Sequence, residues 1–193
     1  MTDTNFLQYY DLEGYLFEVV SVRYAQDKTL TAFDFFCIVI WKANRAKSKV
    51  AERLLAQGNG QANLGAAVGS LLAAISAAKD KRARLSLVIE GWGFRLPMAS
   101  AILTVLYPED FTVYDIRVCD VLGDFKDAQY KTNFATLWKR YSAYVIAVER
   151  AVPEYPSLRD KDRFLWGKSF ATQLQTDIQS SFGRGNSDAE FEA

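Results

Sequence analysis

The sequence predicts an all-α fold, a compact two-lobed helical bundle, and three observations carry that prediction. Apolar residues recur at helical spacing along most of the chain, strand-like alternation is nearly absent, and polar or Gly/Pro-rich breaks separate the periodic segments. The segment "YLFEVVSVRY" (15–24) is rich in β-branched and aromatic residues, yet Tyr15, Phe17 and Val20 also suit one helix face, and a helix is expected. Thr31 followed by Asp34 resembles a capped helix start, with the helix running to about Ala43. Polar "NRAKSK" leads to a second helix through "VAERLLAQ", and "GNGQAN" (58–63) is the clearest loop. Further helices are expected over 64–78, 81–89 and 98–107, with "EGWGFRLP" (90–97) as the turn between the last two. A long amphipathic helix follows over 132–152, "PEYP" (153–156) breaks it, and a final helix starts near Ser157.

Composition limits what such a bundle can do. Half the residues are hydrophobic and 24% are charged, which matches a globular chain, expected as a single domain over 1–180 followed by an acidic tail over 181–193. The longest apolar candidate, "LGAAVGSLLAAISAA" (64–78), is too short to span a bilayer, and the basic-then-apolar pattern of a secretory leader is missing, so no membrane association is expected. Cys37 and Cys119 lie in apolar segments without metal-ligand spacing and read as reduced core residues of a cytoplasmic protein. With no histidine at all, Ser-His and Cys-His nucleophile systems are excluded; no metal site and no cofactor are expected. The formal charge is zero, but the last 13 residues hold three acids and one base, which leaves residues 1–180 at +2. A local basic face is therefore compatible with overall neutrality.

The helix–turn–helix over 81–107 has a physical logic of its own. Gly91 and Gly93 permit positive backbone dihedrals and clear space beside the turn, and small Ala99, Ser100 and Ala101 allow close helix packing. Free N–H groups at the start of the second helix would then suit a phosphate. After a "YPEDF" turn and a short extended "TVY", Asp115 stands at the N-cap of a helix beginning "IRVCDVL". A helix N-terminus favours an ionised carboxylate, and such a group in a cleft can stabilise an oxocarbenium-like sugar.

In this order and spacing the segments resemble the helix-hairpin-helix DNA glycosylase superfamily, in its 8-oxoguanine glycosylase-like branch. The family's hairpin turn reads close to L-P-G-V-G, and Ile89-Glu90-Gly91-Trp92-Gly93 follows it with Glu90 in place of proline. The family's catalytic aspartate maps onto Asp115, and "FDFFCIVIWKANRAKSKVAERLL" (33–55) resembles its first core helix and following loop. The resemblance covers about residues 30 to 125. It implies a monomeric enzyme on double-stranded DNA that grips the backbone with Gly91, Gly93, Phe94 and Arg95. Lys42, Asn44 and Arg45 would fill the gap left by a flipped base. Trp41 is a candidate to stack on a base, because aromatic–base contacts are favourable, with a place in the aromatic-rich core as the competing reading. Bifunctional members carry a lysine six residues before the first hairpin glycine; that position here is Leu85, and Lys81 lies one turn earlier. The resemblance therefore implies a monofunctional N-glycosylase, in which Asp115 supports base departure without strand cleavage. Its four-cysteine iron–sulfur variant is excluded by the cysteine count.

Other residues have competing readings. Arg117, two positions after Asp115, is expected to point elsewhere, whereas Arg95 is the better phosphate contact. On the last helix Asp162 and Trp166, four apart, share a face and are candidates for the base pocket; the plainer reading is a salt-bridged surface with the tryptophan tucked inward. For the whole chain the competitor is a non-catalytic DNA-binding or protein-interaction module on the same fold.

Overall fold

A computed structural model describes residues 6–57 and 63–182. The described residues are helical with no strand, and ten α-helical segments alternate with short turns. Helices α1 (Leu12–Gly14) and α2 (Ser21–Asp27) are joined by a wide π-helical stretch, Tyr15–Val20, so the segment with strand-like composition is helix throughout. One face of this segment is buried, with Leu16, Val20 and Tyr24 fully inside, whereas Val22 on another face is exposed.

Helix α3 (Ala32–Ala43) begins at the predicted capping box. The Asp34 N–H donates to Thr31 Oγ1 at 3.1 Å, and the Thr31 N–H donates back to the Asp34 carboxylate at 3.4 Å. A single 3-10 turn, Asn44–Ala46, then feeds α4 (Lys47–Gln57), which starts three residues earlier than the apolar pattern implied. Lys47, Ser48 and Lys49 are exposed residues of its first turn and not a linker. Most of the predicted loop at 58–63, and the tail beyond 182, lie outside the described residues. Helices α5 (Leu64–Ala77) and α6 (Lys81–Ser86) carry Asn63 and Asp80 as side-chain caps.

The hairpin differs from expectation in its first half. From α6 the chain continues through a π-helical turn, Leu87–Gly91, so Gly91 is helical and closes the helix. Only Gly93 of the two uses the left-handed region, with φ of +69°. Helix α7 (Leu96–Leu106) starts two residues before Met98, with Pro97 in the first turn, where a missing N–H breaks no helical bond. Every residue from Met98 to Leu106 is buried, because α7 runs through the centre of the molecule and packs on α2, α3 and α6. Each large apolar side chain there contributes roughly 1.5–3 kcal/mol.

Helices α8 (Ile116–Leu122), α9 (Phe134–Ala151) and α10 (Leu158–Gln179) complete the fold, capped by Asp115, Asn133 and Ser157. Cys37 and Cys119 are free, buried thiols, both pushed up to about 11 by burial. No helix among the described residues is long and apolar enough to cross a membrane.

Candidate functional site

Asp115 is held by a segment, Phe111–Tyr114, that is in no helix and pairs with no strand among the described residues, and is tied to its neighbours by side chains. The Tyr141 hydroxyl donates to the Thr112 carbonyl at 2.7 Å, and the Tyr144 hydroxyl donates to the Val113 carbonyl at 2.8 Å. The Tyr114 N–H donates to Ser100 Oγ at 2.9 Å. Ser100 thus serves more than close packing: it ties the central helix to the segment that positions Asp115. These bonds satisfy buried backbone groups that would otherwise lack partners.

Both carboxylate oxygens of Asp115 are engaged. One accepts the Arg117 backbone N–H at 3.0 Å, which is the capping contact that starts α8. The other meets Lys42 Nζ at 2.7 Å. Lys42 sits in the last turn of α3, 73 positions away in sequence, and is not in the loop that follows. The side chains of Lys42 and Asp115 are only 15% and 22% exposed, so this pair is partly desolvated and still reachable from the cleft.

The cleft they share has a volume of about 1560 Å³ and collects α3, α4, the hairpin turn, the start of α8 and α10. Its lining includes the sequence-predicted Trp41, Lys42, Phe94, Arg95, Asp115, Asp162 and Trp166. Gly91, Gly93, Asn44 and Arg45 are outside it. Asn44 is exposed and accepts a hydrogen bond from Lys47 Nζ at 3.0 Å, and Arg45 is exposed beside it. Phe94 is buried and cannot reach a backbone outside the fold; its ring lies beneath the Arg53 guanidinium at 5.9 Å.

The two predicted residues of α10 have exchanged roles relative to the plainer reading. Trp166 is exposed, stacked on Phe170 and touched by the Arg117 guanidinium at 5.7 Å, whereas Asp162 is 3% exposed. Arg117 lines the same cleft as Asp115, bonded to Gln173 at 2.6 Å, so it does not point elsewhere. Burial pushes the Asp162 carboxyl up to about 7, opposed by the positive charges of Arg159 and Lys42 and reinforced by Asp115 and Glu13.

Arg159 was invisible in the sequence as a site residue. It pairs with Asp162, reaches Glu13 at 2.6 Å, and places its guanidinium 5.0 Å from the rings of both Phe17 and Trp41. Trp41 is therefore wedged edge-on against Phe17 with one face on a cation. The only local hint was the Arg159–Asp162 spacing on one helix face; the contacts with Glu13 and Trp41 join remote segments.

Charge on the cleft wall is lopsided. Seven of its lining residues are lysine or arginine and three are acids, although the chain as a whole is neutral. Lys49, Arg53 and Arg95 are exposed there, with no carboxylate partner among the described residues. No group of three or more metal-ligating side chains occurs among the described residues.

No protein-family model, curated protein or solved structure matches this chain.

Proposed function

We propose that the chain is a DNA N-glycosylase that removes a damaged or modified base with the assistance of Asp115. The observation that carries this reading is a helix-capping carboxylate opening into a cleft whose wall is basic on a neutral chain. A polyanion is attracted to such a wall, and Lys49, Arg53, Arg95, Arg117 and Arg163 supply its phosphate contacts. Once a nucleotide is turned out of the helix, its sugar meets Asp115, and its base meets Trp41, Trp166 and Asp162. The carboxylate stabilises positive charge on C1′ as the N-glycosidic bond breaks, and water completes the hydrolysis. Leu85 is fully buried and Lys81 does not line the cleft, so the hairpin helix supplies no amine to this step.

One observation favours a second reading. Lys42 already neutralises Asp115 and ties α3 to α8, as expected of a non-catalytic DNA-binding or protein-interaction module.

A single experiment separates the two. Duplexes carrying a panel of damaged and naturally modified bases are incubated with the protein, and abasic sites are scored for wild type and Asp115→Asn. Asparagine caps a helix as well as aspartate does, so the variant keeps the cap of α8 and loses the charge together with the ion pair to Lys42. Base release falling on the order of a hundredfold or more supports the enzyme. Salt-dependent duplex binding with no base release from any substrate leaves the binding module.

A further inference from the structure

We propose that the basic cleft has a second occupant, the chain's own acidic segment at 188–192, which pairs with the cations of the wall and is displaced when another polyanion enters. The occupancy rests on the cleft and the sequence alone; that duplex DNA is the competitor rests on the function proposed above.

Charge points to this occupant. Lys49, Arg53 and Arg95 stand exposed on the cleft wall, with no carboxylate partner among the described residues. Residues 1–180 carry +2, whereas 181–193 set Arg184 against Asp188, Glu190 and Glu192 and carry −2. The chain is therefore neutral only because its last segment offsets an excess of cations elsewhere. In an extended peptide, the alternate positions 188, 190 and 192 present their carboxylates on one side, about 7 Å apart. One short segment then meets several cations of the wall at once.

Reach allows it. Gln173 of α10 already lines the cleft, and the helix ends at Gln179. From Phe182 back to the level of Gln173 is nine residues, roughly 14 Å at helical rise. The eight residues from Gly183 to Glu190 span up to roughly 28 Å when extended, about twice that distance.

The chemistry of the segment also matches. Glu190-Phe191-Glu192 sets an aromatic ring between two carboxylates, and the cleft offers cations beside exposed Trp166 and half-buried Trp41. A strand of nucleic acid likewise presents flat rings flanked by anions, so both compete for the same groups. Each tail contact is an exposed ion pair, weak by itself and screened by salt. The tether compensates with an effective concentration in the millimolar range. Such a hold yields to a polyanion that engages many cations together.

The test treats full-length protein with a zero-length carbodiimide, which joins amines only to carboxylates in direct contact, and maps the products by mass spectrometry. Lys49 is the exposed lysine of the cleft wall. The expected product joins it to Asp188, Glu190 or Glu192 within one chain, fades as salt is raised, and is lost when duplex DNA binds. A second arm measures duplex affinity of the triple variant Asp188→Asn, Glu190→Gln, Glu192→Gln. Affinity should rise about threefold or more at low salt, and the gain should vanish when Lys49→Gln and Arg95→Gln are added. No tail cross-link, cross-links mainly to Lys131 or Lys168 outside the cleft, or a product joining two copies overturns the proposal. A gain that survives loss of the cleft cations, or a duplex that binds while the cross-link persists, overturns it too. The Lys49 cross-link in a protein that binds no duplex sustains this inference while the excision reading fails. Base release without the cross-link does the opposite.

Discussion

Two buried aspartates, Asp34 and Asp162, show how the same residue serves opposite ends in two regions of the molecule. Asp34 is 1% exposed, at the start of α3, and is saturated with donors. Its carboxylate accepts from the Tyr15 hydroxyl at 2.6 Å, Arg23 at 2.6 Å, and the Thr31 hydroxyl at 2.8 Å. Burial alone would raise its pKa, but hydrogen bonds from Tyr15 and Thr31 and the charge of Arg23 hold it below the ordinary carboxylate range. Asp162 is nearly as enclosed at 3% exposed, yet Arg159 is its one ion-pair partner among the described residues, and Glu13 shares that arginine. Burial therefore wins at Asp162 and its pKa moves the other way, to about 7. A saturated carboxylate holds elements together. An unsaturated one lining a cleft retains the capacity to bond something else.

The largest expected effect separates the two by pH. Folded Asp162 keeps a proton that the unfolded chain gives up near pH 4, so unfolding free energy falls as pH rises towards 7 and is flat above it. Asparagine has no proton to lose. Between pH 4 and 8 the stability of Asp162→Asn should rise relative to wild type by up to about 4 kcal/mol, measured by urea denaturation. Parallel curves for the two proteins would erase the distinction.

Asp34 has the reverse sign. Its depressed pKa gives a contribution fully present above the ordinary carboxylate range and lost as pH falls through its folded value. Asp34→Ala strips the acceptor from Tyr15, Arg23 and Thr31 together, and should cost about 3 kcal/mol at pH 7. That cost should shrink in acid, where wild type loses the same contacts. A cost that is constant down to pH 3 would show that packing, and not charge, accounts for it.

The sequence disclosed features whose causes are local. Thr31 and Asp34 are three residues apart and form the capping box they spell; Asp115 caps α8 because its helix begins one residue later. What it did not disclose depends on distance or on rotation about a helix axis. Lys42 and Asp115 lie 73 positions apart, and nothing in either segment names the other. Asp162 and Trp166 share a helix face by spacing, but spacing does not say which one turns inward; the tryptophan is exposed because Phe170 and Arg117 give it surface partners. Gly91 and Gly93 look equivalent as letters, yet a π-helical turn extends the preceding helix through the first and leaves the left-handed position to the second. The basic cleft was hidden because its cations come from several elements while the acids that balance them sit elsewhere.

The smallest effect extends the contrast from carboxylates to cations. Arg140 is saturated: its guanidinium bonds both Asp124 and Asp127 at 2.6 Å. Arg95 stands exposed at the hairpin turn on the cleft wall, with no carboxylate partner among the described residues. A cation that neutralises one phosphate displaces about one condensed counterion, so its removal shallows the dependence of log affinity on log salt by about one unit. Arg95→Ala should therefore weaken duplex binding at low salt and reduce that slope by about one, with little change in melting temperature. Arg140→Ala should leave the slope unchanged and lower the melting temperature instead, because its charge is already spent on two carboxylates. Equal slopes for Arg95→Ala and wild type would mean that the duplex does not reach the hairpin turn, and the basic wall would have to be read as a surface for another anion.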